Sequence, residues 1–253
     1  MTRRLLIRPG AIGDFILSLP ALHALKANYT EVWCAEQNVP LGKFADRAIS
    51  LGTSGLSRLG LLPADDVVAR LNGFDSIISW SATGREELER LELPVTFLKA
   101  LPDPGIHATA FYNRQARDIL AQTSGAQKIT WNPAIRCPPR PRTFAAIHPF
   151  ASSAAKRAPM ALFEQHASRL ARHMPVHWLA GPEEDLPGAV RIPDLYDLAC
   201  WLAGAKVYVG NDSGISHLAA AVGTPTLALF SATRPTEWAP RGIAHAVRLV
   251  TGT

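Results

Sequence analysis

Short apolar runs alternate with stretches of helical periodicity from one end of the chain to the other. In the first half, Leu5–Arg8, Glu31–Cys34, Ser76–Trp80 and Val95–Leu98 are predicted as buried strands. Between them, Asp14–Ala27, Arg85–Leu91 and Ala108–Gln122 have the spacing of helices. The second half repeats the scheme, with strands near Phe144–Ile147, Val176–Leu179, Lys206–Val209 and Thr226–Phe230. Helices near Ala161–His173, Leu195–Ala203 and Ile215–Val222 separate these strands. Strand and helix in strict alternation imply parallel sheets joined by crossover helices, the doubly wound α/β class.

The pattern breaks once, at Cys137–Arg142, where three prolines fall within six residues. Proline lacks an N–H and fixes φ, so this stretch continues neither a helix nor a central strand and reads as an extended linker. A fresh apolar strand begins directly after it. The expected organisation is an N-terminal domain over 1–136, a linker at 137–142 and a C-terminal domain over 143–253. The alternative is a surface loop within one sheet.

Composition narrows the function classes. Of 253 residues, 47% are apolar and 19% charged, so the chain can bury a core and wholesale disorder is excluded. The net charge of +5 favours anionic partners, but the cations are scattered and form no run of the nucleic-acid kind. A phosphorylated small molecule, or peripheral contact with an anionic membrane, suits this charge as well. Cys34, Cys137 and Cys200 lie far apart with no zinc-ligand spacing, and read as unpaired thiols of a reducing compartment. Arg3 and Arg4 precede an apolar stretch as in a secretion signal, but Arg8 and Asp14 interrupt it. No apolar run reaches membrane-spanning length, and the expected location is cytoplasmic.

Ligands of an open parallel sheet bind where strands end and helices begin, and three such junctions carry unusual residues. In Arg8-Pro9-Gly10-Ala11-Ile12-Gly13-Asp14, Gly10 and Gly13 permit a tight turn and close approach, and Asp14 stands in the first helical turn. The spacing is not a dinucleotide fingerprint, and the lysine of a phosphate loop is missing. A carboxylate there would repel phosphate, so Asp14 is a general base, an acceptor for sugar hydroxyls, or a helix cap. In the second junction, Ser152 and Ser153 are followed by Lys156 and Arg157. Hydroxyls and adjacent cations suit a diphosphate, or else make a solvated basic turn. The third is Val209-Gly210-Asn211-Asp212-Ser213-Gly214-Ile215-Ser216-His217, leading into an alanine-rich helix. Amides of Ser213, Gly214 and Ile215 at that helix start form a ready anion site. Asp212 either caps the helix or holds sugar hydroxyls, and His217 either faces the ligand or packs.

Together these segments resemble glycosyltransferase family 9, the heptosyltransferase-like enzymes of lipopolysaccharide core assembly. LLIRPGAIGDFILSLPALHALK resembles that family's first strand, turn and helix, and IHPFASSAAKRAP its donor-phosphate loop. VGNDSGISHLAAAVGTPTLALF is similar to its best-marked motif, and SATRPTEWAP to the segment after it. The resemblance implies the GT-B class, two Rossmann-like domains facing a central cleft, and inversion at the anomeric carbon. It implies Asp14 as base, Lys156 as diphosphate ligand, and Asp212, Ser213, Gly214 and His217 as donor contacts, with Glu183 near the donor ribose. Phe150 stands where a glycine is usual and Ala158 where a tryptophan is usual, so a donor pocket of different shape is expected. The chain is also shorter than is usual in the family, and a C-terminal helix crossing back to the first domain has no obvious counterpart.

The expected activity is metal-independent transfer of a heptose-like sugar from a nucleotide-diphosphate donor to a glycan or glycolipid such as lipopolysaccharide core. No Asp-x-Asp pair is present to bridge a metal to phosphates, and no cofactor is expected. The rival is a non-catalytic relative that binds a phosphosugar or organises glycan assembly. A dehydrogenase is a distant third for want of the glycine fingerprint.

Overall fold

The computed structural model describes residues 1–61, 63–123, 129 and 135–249. The chain separates into two compact units, one formed by 1–11, 18–103 and 109–129, the other by 12–17, 104–108 and 130–253. The linker expected at 137–142 is without helix or strand, and the Arg142 guanidinium donates to the carbonyl of Gly223 at 2.7 Å.

The first unit is built on a five-stranded parallel sheet of β1 (Arg3–Arg8), β2 (Tyr29–Cys34), β3 (Arg47–Ser50), β4 (Ser76–Ser79) and β5 (Val95–Phe97). Its strand order is β3-β2-β1-β4-β5. Leu5, Leu6 and Ile7 on β1 are all fully buried, as a strand covered on both faces requires. Glu31 is the polar exception on β2. Its carboxylate accepts from the Trp33 indole at 2.7 Å and pairs with Arg70, so the buried charge is compensated. Helices in this region are α1 (Ile12–Ala24), α2 (Leu51–Ser54), α3 (Asp65–Leu71), α4 (Arg85–Arg90) and α5 (Ala108–Thr123). Leu56, Val67, Leu71, Phe74 and Leu88 close over Leu5, Ile7, Trp33 and Ile77 to form the core.

The second sheet comprises β6 (Phe144–His148), β7 (Val176–Trp178), β8 (Ala205–Asn211), β9 (Thr226–Phe230) and β10 (Ala244–Arg248), all parallel, in the order β10-β9-β8-β6-β7. Its helices are α6 (Met160–Leu170), α7 (Leu195–Leu202), α8 (Gly214–Ala221) and α9 (Pro235–Trp238). Asp194 caps α7, accepting from the amides of Tyr196 at 2.8 Å and Asp197 at 2.9 Å. Residues Leu218–Ala221 of α8 are buried throughout, and the small side chains of Ala219, Ala220 and Ala221 let the helix lie close to β8 and β9. Gly223, at φ 78°, takes the left-handed position just beyond α8.

Helices α2, α3 and α9 were not anticipated, and three further features differ from the sequence expectation. The edge strands β5 and β7 are half-exposed or exposed rather than buried, because each has a neighbour on one side only. The short polar strand β3 and the alternating strand β10 join the sheets although neither carries an apolar run. Helix α1 begins two residues earlier than expected and carries Pro20 inside it.

Candidate functional site

In the second sheet the chain moves from β6 outward to β7 and then returns to place β8 on the other side of β6. The carboxyl ends of β6 and β8 therefore flank the point where strand order reverses. Connections there lead to opposite faces of the sheet and leave a crevice for a ligand. The loop after β6 carries Ser152, Ser153, Lys156 and Arg157, and the loop after β8 carries Asp212 and Ser213. Strand order by itself thus gathers two of the three chemical junctions at one place.

The Lys156 ammonium lies 2.9 Å from the Asp212 carboxylate, and the Thr233 hydroxyl donates to the same carboxylate oxygen. Asp212 is 5% exposed and Lys156 29%, so the pair has one dry partner and one that reaches solvent. Asp212 consequently does not cap α8. Ser213 occupies the N-cap position with extended backbone and makes no side-chain capping bond, so the helix start faces the crevice with its own amides. Gly214 follows, and a Cβ there would come within 2.6 Å of the Ile12 Cβ. Only glycine fits at that approach.

His217 is 4% exposed, one turn into α8. Burial pushes its imidazole down to about 4, with Asp212 acting in the opposite direction and His107 and Lys156 adding to the lowering. The ring is therefore neutral at physiological pH. Its Cδ2 would stand 2.9 Å from a Cβ on Gly13, so Gly13 is small because the imidazole occupies that space. Asp14 follows Gly13 in the first turn of α1, half-buried, within the segment 12–17 that groups with the second unit.

Ser152 and Ser153 are exposed. Arg157 donates through Nε to the carbonyl of Ala151 at 3.1 Å and stands 5.6 Å from the Phe150 ring centroid. Phe150 in turn lies 6.0 Å from the His148 ring. The Phe150 ring thus stands beside both the Arg157 guanidinium and His148 of β6. Glu183 is exposed, whereas its neighbour Glu184 bonds to His148 Nε2 at 3.0 Å and accepts from the Gly181 amide at 2.6 Å. These hydrogen bonds, opposed by partial burial, hold the Glu184 carboxyl below the usual range.

In the first unit, Gly10 has φ 117°, which a side chain would strain. Its carbonyl accepts from Asn38 Nδ2 at 3.1 Å, and the Pro9 carbonyl accepts from the Arg8 guanidinium at 2.7 Å. Arg8 is itself 2% exposed and lies 4.6 Å from the Tyr112 ring centroid. Sequence reasoning did not single out Arg8 and Asn38, which hold the turn at Pro9 and Gly10, nor Asn211, Glu184 and Thr233 in the second unit. The cue for Asn211 was its place between two residues of the motif. Thr233 and Glu184 had no cue, because their partners are distant in the chain. Among the described residues, no three His, Cys, Asp or Glu side chains stand together as a metal site would require. No helix among them is long and apolar enough to cross a membrane.

Residues 112–251 match the family model described as glycosyltransferase family 9 (heptosyltransferase). No curated protein matches the chain by sequence. Among solved structures, ADP-heptose lps heptosyltransferase II of E. coli superposes with a TM-score of 0.76 at 18% identity, covering 99% of this chain and 92% of that one. E. coli heptosyltransferase WaaC with ADP gives 0.75 at 18% identity, covering 98% and 93%. A family 9 glycosyl transferase from Veillonella parvula gives 0.75 at 18% identity, covering 98% and 86%. These likenesses establish two Rossmann-like units of the GT-B class.

Proposed function

We propose, from the premise that this chain belongs to glycosyltransferase family 9, that it moves a heptose-like sugar from a nucleotide-diphosphate donor to a glycan hydroxyl. The coarser statement, a glycosyltransferase using a nucleotide sugar, follows from that membership. The placement of the donor diphosphate rests chiefly on one observation, a solvent-reaching cation, Lys156, beside Asp212 at the start of α8, and the heptose-like sugar rests on the likeness to heptosyltransferases.

In the proposed reaction the acceptor oxygen attacks the anomeric carbon and passes its proton to Asp14. The bond from that carbon to the donor phosphate breaks, and its electron pair leaves with the diphosphate. Lys156, Arg157, the hydroxyls of Ser152 and Ser153, and the amides at Ser213 and Gly214 stabilise the departing charge. Such preorganised donors lower barriers by about 3–4 kcal/mol each where single ones have been removed. Asp212 and neutral His217 orient the sugar, and Glu183 or its neighbour Glu184 contacts the ribose. Cations and helix amides supply the charge that a metal would otherwise bring, so turnover proceeds without one. Attack opposite the leaving group inverts the anomeric centre. Lipopolysaccharide core is the proposed acceptor, reached at an anionic membrane surface.

Thermal unfolding in the presence of ADP, ADP-heptose and other nucleotide sugars, with a chelator throughout, tests this reading. The correct donor raises the melting temperature by mass action, by about 2.7 kcal/mol of stabilisation at one hundred times its Kd. Transfer to a lipopolysaccharide-core acceptor is then expected in the same chelated buffer. Activity restored only by magnesium or manganese would refute metal independence. Binding without transfer to any acceptor would leave a phosphosugar-binding protein.

A further inference from the structure

Lys156 ends a short 3₁₀ turn, Ala154–Lys156, within the loop after β6, and the turn holds its charge in place only if the ends of that loop are fixed. The side chain of Asn211, the last residue of β8, is fully buried. Its Oδ1 accepts from the Ala158 amide at 2.9 Å, and its Nδ2 donates to the Pro149 carbonyl at 2.7 Å. Pro149 and Ala158 are the two ends of the loop after β6. One amide group therefore closes that loop across its base and ties both ends to the strand that leads into Asp212. The orientation of the carboxamide is unambiguous, because the flipped group would set N–H against N–H and oxygen against oxygen. A further tie fixes the loop's middle, where the Ser231 hydroxyl donates to the Ala155 carbonyl at 2.7 Å.

We infer that Asn211 is a positioning residue for donor binding: it staples the loop 149–158 to β8 and thereby sets the Lys156 ammonium for the diphosphate. Asn211 does not touch the ligand; it acts through the loop. Its two bonds span 53 and 62 residues of sequence and both are buried, so removing the side chain leaves the Ala158 amide and the Pro149 carbonyl without that partner. Without the staple the ends of the loop part from β8, and Lys156 is held by its ion pair to Asp212 alone, which lowers the fraction competent to bind.

The inference rests on the proposed donor site, and a double-mutant cycle separates the two. ADP affinity is measured by calorimetry in the wild-type chain, N211A, K156A and the double variant, each shown to be folded by its melting transition. N211A is expected to weaken ADP binding tenfold or more in the wild-type background, and less than threefold once Lys156 is gone. Amide exchange at Ala158 should accelerate in N211A, reporting the open staple directly. N211L keeps the volume, adds no charge and loses both bonds, so it serves if the alanine variant does not fold. It should show the same dependence on Lys156. Equal losses in both backgrounds, or unchanged ADP affinity, would overturn the positioning role while K156A still upholds the donor site. Failure of the wild-type chain to bind ADP or UDP would remove the donor site and this inference with it.

Discussion

Lys156 and Asp212 form an ion pair of 2.9 Å at the end of β8, with Thr233 bonded to the same carboxylate. The cation proposed to meet the donor is thus already neutralised, and a diphosphate must compete with Asp212 for it. Lys156→Ala should cost ADP affinity about 1.5–3 kcal/mol, the scale of a charge-assisted hydrogen bond. Asp212→Asn removes the competitor and keeps a group for Thr233. ADP should bind that variant as well as or better than wild type, while the complete nucleotide sugar binds less well. Calorimetry with both ligands decides it; equal loss of ADP binding in the two variants would make the pair one structural unit.

Asp14→Asn should separate catalysis from binding. Asparagine matches aspartate in size, and the first turn of α1 keeps a polar group. It cannot accept the proton, and loss of a positioned base commonly lowers turnover by 10²–10⁴-fold. Transfer rate and ADP affinity are to be measured on the same folded variant. Turnover above about a tenth of wild type would exclude Asp14 as the base, and loss of ADP binding would reassign it to the donor.

Gly214→Ala should be more damaging than Gly13→Ala. The new Cβ at 214 would stand 2.6 Å from the Ile12 Cβ, and both atoms are fixed to backbone. At Gly13 the obstacle is the His217 ring at 2.9 Å, a side chain with some freedom to move. Overpacking of the first kind costs about 1–3 kcal/mol. A melting temperature lowered more by the Gly13 change than by the Gly214 change would show that this close approach is not the limiting one.

Stability should fall on mild acidification. Burial, the first cause at both sites, lowers His217 and His107 to about 4 from an ordinary value of 6.5. His107 is held neutral with Nε2 bonding the Ala239 carbonyl at 3.0 Å and Nδ1 facing Arg241 Nε at 3.3 Å. The unfolded chain therefore binds more protons between pH 6.5 and about 4, and stability drops as pH falls through that window. For buried His217 the slope is at most about 1.4 kcal/mol per pH unit. Denaturant midpoints at pH 7.5, 6.5, 5.5 and 4.5 measure it, and His217→Asn should flatten the profile. An unchanged slope in that variant would remove His217 as a cause.

Several elements were written plainly in the chain. Leu5–Ile7, Ala145–Ile147 and Thr226–Phe230 are continuous apolar runs, and such runs need cover on both faces wherever they fold. Alternating strands and helices therefore sufficed for two parallel sheets, and small or hydroxyl residues beside charged ones at strand ends marked the candidate ligand loops. β3 and β10 escaped notice because RAIS and AHAVR carry no apolar run of the kind that marked the edge strands β5 and β7.

The site was legible as a set of residue types and illegible as a set of pairings. Sequence shows Asp212, Ser213 and Gly214 together, because they share one turn. It does not show that Thr233 and Lys156 converge on Asp212, or that Asn211 joins Pro149 to Ala158. Nor does it choose between Glu183, which is exposed, and Glu184, which bonds His148. Periodicity records what a residue needs from solvent, and that need is local. Hydrogen bonds and ion pairs depend on which loops the strand order brings side by side, and here that order was decided by the return of the chain past β6 to β8.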